Sequence, residues 1–505
     1  MDTDVLIVGA GPTGLMLACQ LARRGVRATI IDRHAGPARE TRALGVQART
    51  MEIYTQLGVV VRALGLGHKG TGANIWANGK RSARVPIGET GSGVTPYPYI
   101  FILGQDDNER ILGDRLREFG MTVQWNTELT ALEQHEDHVA ATLKLHGNLK
   151  TIRAAWVAGC DGAHSAVREL NRIGFPGAPY EHSFFVADVS ASGPMVAGEL
   201  NVFLWRRRFH AFFPMRGEDH WRIVGILPEA LMGKKDVAFE GILPTLQEEW
   251  QAEIEIRKCT WFSTYRIHHR AASRFRAGRC FLLGDAAHIH SPVGAQGMNT
   301  GLQDAYNLGW KLALVAQRRA GAALLDSYEE ERLPVARRLL ETTDRAFRLV
   351  ISDHWLARFA RTQIVARLAA FALRFQAVRR FAFRTVSQVG IHYRESPLSE
   401  TRDGLPESAP QAGDRFPWVG DLLPQLGDLD FQLICFGQSS PGIQNAFLKI
   451  SEIPGDENRP EFEQAQVPFP SFYLLRPDGH VGLCGRQADA ATITRYLRET
   501  LKLAA

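Results

Sequence analysis

Gly9-Ala-Gly-Pro-Thr-Gly14 stands between an apolar run, Asp4-Val-Leu-Ile-Val8, and a stretch of helical periodicity over residues 14–24. A second apolar run, Arg27-Ala-Thr-Ile-Ile31, follows. Strand, glycine turn, helix and strand make a βαβ unit, which commits the start of the chain to a parallel α/β sheet. Gly9 permits the tight turn, Gly11 lets a pyrophosphate approach the backbone, and Gly14 lets helix and strand pack closely. Pro12 and Thr13 lie where the helix opens, with its unpaired N–H groups and positive dipole end available to phosphates. Asp32, 18 residues beyond Gly14, ends the second strand, where its carboxylate can accept hydrogen bonds from a ribose diol.

The spacing alone does not define such a site. Gly65-Leu-Gly-His-Lys-Gly70 has it too, but follows an amphipathic helix and reads as a helix C-cap and loop. Two further segments repeat the strand–turn–helix order. In the first, Trp156-Val-Ala-Gly-Cys leads to Asp161-Gly162, Ser165 and Arg168, although Asp and Ser are also ordinary helix caps. In the second, Cys280-Phe-Leu-Leu283 leads into the stretch from Gly284 to Gly301. Asp285 there ends a strand and can accept hydrogen bonds from a polyol. Gly294, Gly297 and the small residues between allow a flat ligand to approach. The helix from Asn299 onward aims its positive end at electron-rich carbonyls.

A length of 505 residues implies two or three domains. Short β-like runs dominate 175–275, and 76–100 reads as loops and short strands. Residues 397–410 form a polar, proline-containing linker before a last α/β unit. The formal charge of +5 is small for this length and carries no nucleic-acid signature. Six scattered cysteines without a C-x-x-C pair fit neither a disulfide framework nor a zinc site; they point to a reducing, cytoplasmic compartment. The adjacent pair His268-His269 cannot point both rings inward on a strand, so no metal is expected. The N-terminus lacks a basic stretch ahead of an apolar core, which argues against a signal peptide. No apolar run reaches the roughly 18 residues of a membrane span. The Arg-rich helical stretch 341–390 carries charge on several faces. It reads as scaffold helices packed on the first domain or on a second copy, a homodimer, rather than on a membrane.

The three motifs in this order resemble those of the group A flavoprotein monooxygenases, the p-hydroxybenzoate hydroxylase type, over roughly residues 1–400. Asp304-Ala-Tyr-Asn-Leu-Gly-Trp-Lys311 and then Tyr328, Glu331, Arg332 and Pro334 extend the likeness. Gly413-Asp-Arg-Phe-Pro417 and Arg476-Pro-Asp-Gly-His-Val481 resemble the thioredoxin-like domain of the phenol and polyketide hydroxylase branch. Cys435 has no partner cysteine two or three residues away, which does not fit redox activity there.

The resemblance implies a Rossmann-like FAD-binding domain in three pieces (1–75, 101–174 and 276–395). A mixed β-sheet substrate domain (76–100 and 175–275) would be inserted in it, and a thioredoxin-like domain (411–505) would follow. It places the ADP half of FAD on Gly9, Gly11, Pro12, Thr13 and Gly14, with Asp32 and Arg33 at the ribose; relatives usually carry Glu where this chain has Asp32. Asp285 would hold the ribityl chain. Gly297, Met298 and Asn299 would lie beside the isoalloxazine, with Pro292 near its reactive face. Arg42 and Gln105 would contact the cofactor, and Asp161 would support the nicotinamide and FAD. NADPH or NADH would act as a transient co-substrate, since no second strand–GxGxxG–helix exists. Through a flavin C4a-hydroperoxide the enzyme would hydroxylate a phenolic or polycyclic aromatic substrate with O2. Substrate-side candidates are Gln47 and His210, with Trp205, Phe212 and Phe213. Two other outcomes fit the same motifs: Baeyer–Villiger or antibiotic-modifying oxygenation, and a reductase or carrier that binds FAD without monooxygenase activity.

Overall fold

Val5, Leu6 and Ile7 have no exposed surface, and both faces of their strand are covered, as an uninterrupted apolar run requires. The computed structural model describes residues 1–504 apart from 39–42, 87–90, 206–207, 233, 235–236, 291–295, 352–375, 403 and 456–459. For 179–182, 267, 343–351 and 376–380 it describes the backbone. In the first sheet the parallel strands lie in the order Cys280–Leu282, Asn148–Gly159, Thr3–Val8, Ala28–Ile31, Val123–Gln124. Val8 pairs with both Gly159 and Ile31, and Gly159 pairs with Leu282, so four strands end at one edge. The three motifs and Asp32 begin there.

The N-terminal half of Asn148–Gly159 also pairs with Val139–Leu145, which pairs with Thr127–Gln134, forming an antiparallel arm. The residues around 122–125 join the parallel sheet beside Ala28–Ile31 instead of this meander. Its first strand, Thr127–Gln134, alternates buried Thr127 and Leu129 with exposed Glu128 and Thr130, a half-buried pattern that its glutamates disguise.

A second eight-stranded sheet runs His288–Ile289, Glu255–Ala271, Gly177–Ser192, His220–Ile226, Arg208–Pro214, Leu200–Trp205, Gly72–Ala77, Lys80–Pro86. The helix Phe239–Trp250 covers one face of it, burying Ile242, Leu246 and Trp250 against Phe185, Phe212 and Ile223. His288–Ile289 pairs with the long strand Glu255–Ala271 and so fastens the turn after Leu282 to this sheet. The helix Val60–Leu66 ends on Gly67, as the second glycine spacing suggested, but a short strand, His68–Gly70, follows in place of a loop. No described helix is long and apolar enough to cross a membrane.

The C-terminal sheet has the order Glu400–Thr401, Val481–Gly485, Ser471–Leu475, Phe431–Phe436, Leu448–Ile453. Trp310 and Leu314, from the helix Gly297–Ala316, share its core with Phe431, Leu433 and Phe472. Charged groups cross the same boundary. Arg476 donates to both carboxylate oxygens of Glu331, at 2.6 and 3.0 Å, and also pairs with Asp478. Glu331 further accepts from Lys311 (2.7 Å), Asn307 (2.6 Å) and Ser396 (2.7 Å). Two cations thus meet two carboxylates with essentially no solvent contact. Such a network is stable only when it is complete.

Burial raises the Glu331 carboxyl, but Arg476 and Lys311 outweigh it and hold the group below its usual 4.5; Arg476 and His480 hold Asp478 well below 3.8. A carboxylate depressed in the fold binds its proton more readily when unfolded. Its stabilisation is therefore complete above the unfolded pKa and disappears as pH falls through the folded one. Denaturant titrations should give constant stability from these groups above about pH 5 and a progressive loss below 4. A stability flat down to pH 2.5 would contradict the arrangement.

Candidate active site

All three motifs meet at the C-terminal edge of the parallel sheet. Strand order changes direction on either side of Thr3–Val8, and in open α/β sheets that point is where a crevice for a ligand opens. A Cβ on Gly9, whose φ is +103°, would lie 2.4 Å from the Cys160 carbonyl oxygen, so the first loop rests on the second motif. Thr13 Oγ1 lies 2.7 Å from the Cβ position of Gly284 and 2.3 Å from that of Gly301, so the first loop also rests on the third. Arg168 donates from Nη1 to the Ala286 carbonyl at 3.1 Å, joining second to third.

Within the first loop the glycines differ in what surrounds them. A Cβ on Gly14 would fall 1.9 Å from the Gly9 carbonyl oxygen, whereas one on Gly11 would meet nothing within 4 Å. Gly11 caps the helix Pro12–Ala22, whose first turn carries no acid and no side-chain cap. Open space beside Gly11, at a helix start rich in donors, fits a pyrophosphate. Asp32 braces this loop: Oδ2 accepts from Ala10 N and Oδ1 from His34 N, both at 2.8 Å, and Oδ1 also lies 2.7 Å from His34 Nδ1. A carboxylate has about four acceptor sites, so capacity for a ribose remains. Arg33 is exposed beside it.

The turn Gly284–Ala286 leaves Asp285 exposed, and the buried carboxylate of Asp304 holds the turn from behind. Asp304 Oδ2 accepts from Gly284 N at 3.0 Å and lies 2.8 Å from His288 Nε2; Oδ1 accepts from Arg332 Nε at 2.7 Å. Burial raises this carboxyl, but Arg332 and His288 bring it below its ordinary value, so it stays ionised. Gly297, Met298 and Asn299 open the helix Gly297–Ala316, and their N–H groups have no intrahelical acceptor. The Asn299 side chain is turned inward. Its Oδ1 accepts from Gln47 N (2.8 Å) and Thr50 Oγ1 (2.7 Å), and its Nδ2 donates to Gly45 O (2.9 Å). Gln47, buried at the start of the helix Ala48–Leu57, is thereby brought to the start of the Gly297 helix.

Gln105 starts the helix Gln105–Glu118 and donates from Nε2 to Glu109 at 2.9 Å, and Glu109 accepts from Ala38 N. Asp161 accepts from Ser165 Oγ (2.6 Å) and Val167 N (3.2 Å); burial outweighs these bonds and raises its carboxyl. Arg42 and Pro292 lie outside the described residues.

His210 stands apart from this group. It pairs in register with Gly225 on the face covered by the helix Phe239–Trp250, with Phe185 and Trp250 as ring neighbours and Glu249 at 3.4 Å. Burial lowers its pKa to about 3, so it is neutral. Phe212 shares that face, as do Phe203 and Trp205 by alternation. The structure thus places His210, expected on the substrate side, beneath this helix; strand alternation alone does not say which side a helix covers. His210→Ala should lower stability by about 2–4 kcal/mol through the cavity it leaves. KM for the aromatic substrate should stay within about twofold; a tenfold rise would return His210 to the pocket.

The face away from this helix carries Phe213, Arg222, Asp188 and Trp261, four residues in one cross-strand row. Arg222 is 1% exposed, donates to both oxygens of Asp188 at 2.7 Å, and lies over the Trp261 ring at 5.2 Å. Its Nη1 is buried and donates to no described residue. Sequence reasoning missed this pair. The signal was an arginine interrupting the apolar run Trp221-Arg-Ile-Val224 at a position whose neighbours are buried.

Comparison with known proteins agrees with this geometry. Residues 2–343 match the family model described as FAD binding domain. The chain is 32% identical to 6-methylpretetramide 4-monooxygenase of Streptomyces rimosus, over 98% of this chain and 93% of that one. It is 32% identical to pentachlorophenol 4-monooxygenase of Sphingobium chlorophenolicum, over 95% and 86%. The solved structure of the anhydrotetracycline hydroxylase OxyS from Streptomyces rimosus superposes with a TM-score of 0.80 at 28% identity, covering all of both chains. With a family match over residues 2–343 and relatives aligned along nearly its whole length, this chain belongs to the FAD-binding-domain family of flavin-dependent aromatic monooxygenases.

Proposed function

We propose that this enzyme hydroxylates a phenolic or polycyclic aromatic ring that bears a further oxygen substituent, with NADPH or NADH as reductant and O2 as oxidant. One oxygen atom enters the ring C–H as hydroxyl, and the other leaves as water with the two electrons of the nicotinamide. FAD, when bound, passes those electrons to O2. The protein supplies binding, charge and shelter. Gly11 and the start of the Pro12 helix receive the pyrophosphate, and Asp32 and Asp285 receive the two polyol regions. The N–H groups of Gly297, Met298 and Asn299 stabilise negative charge at the reacting end. Asp304 holds Gly284 in place, so Asp285 keeps its position on the turn.

The observation that carries the substrate reading is the row on the sheet face away from the helix Phe239–Trp250. An arginine with a buried, unused donor lies among Phe213 and Trp261 and suits an aromatic ligand with an oxygen acceptor. The relatives' names point the same way, with pentachlorophenol, 6-methylpretetramide and anhydrotetracycline as their substrates. The test is NADPH oxidation by the FAD-loaded protein against a panel of phenols and polycyclic hydroxyaromatics, with products weighed after reaction under 18O2. Stimulated oxidation with 18O in the product is expected; an unstimulated rate and no label with every aromatic would defeat the reading. Arg222→Lys keeps the charge beside Asp188 but loses the planar fork, so KM for the substrate should rise about tenfold while FAD affinity stays unchanged. An unaltered KM would remove Arg222 from the pocket.

A further inference from the structure

A second cavity lies away from the glycine loops, where the C-terminal ends of the Pro12 and Gly297 helices face the strand Phe431–Phe436. The Pro12 helix, with 11 residues at about 1.5 Å each, separates the two places by about 16 Å. The cavity measures about 230 Å³, the room of roughly eight waters at about 30 Å³ each.

Its charges do not balance. Asp428 is already engaged: Oδ1 accepts from Arg23 Nη1 at 2.9 Å, and Oδ2 pairs with Arg23 Nη2 and accepts from Tyr306 Oη at 2.7 Å. Arg24, the next residue, reaches only neutral oxygens. Nη1 donates to Gln20 O (3.1 Å) and Gln20 Oε1 (2.8 Å), and Nη2 to the Asp428 carbonyl (2.6 Å). Burial and then Arg23 lower Arg24 to about 10 against the attraction of Asp428 and Asp430, which leaves it charged at neutral pH. Arg319 lies over the Phe447 ring at 4.3 Å and has no carboxylate within 4 Å among the described residues. Asp430, the other acid at the cavity, pairs with Lys449 at 3.3 Å. Two guanidiniums with no carboxylate within 4 Å among the described residues therefore share a small cavity with the aromatic side chains of Trp310, Phe431 and Phe447.

We propose that this cavity is a binding site for a small aromatic carboxylate of one or two rings, distinct from the flavin site. A carboxylate between Arg24 and Arg319 supplies the missing charge in the geometry guanidinium favours, and the ring fills the apolar side.

The probe is 2-naphthoate, titrated calorimetrically into the FAD-loaded full-length protein near neutral pH, with naphthalene-2-carboxamide as its uncharged counterpart. The expected result is one site per chain with the flavin absorption spectrum unmoved. Arg24→Gln and Arg319→Gln should each weaken the naphthoate by about tenfold, and the carboxamide should bind at least about tenfold more weakly than the acid. Leu314→Trp, which fills the cavity, should eliminate the site. Arg319 lies at the half-exposed rim, so its variant stays interpretable if Arg24→Gln unfolds. The proposal is overturned by no binding up to about 5 mM, by equal affinity of acid and amide, or by affinity unchanged in the Arg319 variant. It is equally overturned if binding shifts the flavin spectrum and is lost in Arg222→Lys, because the ligand would then occupy the active site.

Discussion

Gly11→Ala should yield a folded protein that does not retain FAD, whereas Gly14→Ala should yield one that neither retains FAD nor folds normally. The two positions are three residues apart in one loop, and only the surroundings of the added methyl differ. At Gly11 the Cβ enters open space. Its φ of −71° suits any residue, and the loss of a glycine N-cap costs about 1 kcal/mol. The methyl stands where the pyrophosphate must lie, so FAD affinity should fall at least about 100-fold, or about 2.7 kcal/mol. At Gly14 the Cβ would sit 1.9 Å from the Gly9 carbonyl oxygen. Helix and strand must separate, and the melting temperature of the apoprotein should fall with the affinity. Flavin fluorescence on dilution and thermal melts of both apo variants read the two quantities separately. Full FAD retention by Gly11→Ala would mean that the phosphates lie elsewhere.

Arg476→Ala should be the most destabilising single change outside the loops. It leaves Glu331 with Lys311 alone among its described ion-pair partners and Asp478 with no arginine on its carboxylate among the described residues, and breaking such a pair from one side costs about 3–5 kcal/mol. The effect should extend to the cofactor. Glu331 precedes Arg332, which fixes Asp304, and Asp304 fixes the Gly284 turn. Denaturant unfolding measures the loss, and FAD titration measures its reach. The double variant Glu331→Gln with Arg476→Met removes both unlike charges and should recover part of the stability. A loss below about 1 kcal/mol for Arg476→Ala would show that the C-terminal sheet is energetically separate.

The cofactor end of the molecule was legible because backbone requirements write themselves into sequence. Glycines at 9, 11 and 14 between a strand and a helix admit few alternatives, and Asp285 after an apolar run marks a strand end. Side-chain partnerships across long separations were not legible. Nothing in Asn299 announces that its amide stitches Gly45, Gln47 and Thr50 to the Gly297 helix. Period-two alternation separated His210 and Phe212 from Phe213, but the covering helix decided which set faces outward from it. Arg222 was passed over because a charged residue in a β run usually reaches solvent, and here it reaches Asp188.

The order of strands in the first sheet also sets a timetable for synthesis. Thr3–Val8 emerges first, but its neighbour Asn148–Gly159 comes about 150 residues later, and the outer Cys280–Leu282 later still. At about 5–20 residues per second, the ribosome needs roughly 15–60 s to deliver the last of them. Through that interval the apolar N-terminal unit has an unpaired edge, which favours escort by a holdase. The acid at Glu331 waits longer again, since Arg476 is made 145 residues after it. Native burial of the helix that carries it therefore waits for the C-terminal sheet, and until then Trp310 and Leu314 lack the partners Phe431, Leu433 and Phe472 that cover them in the fold.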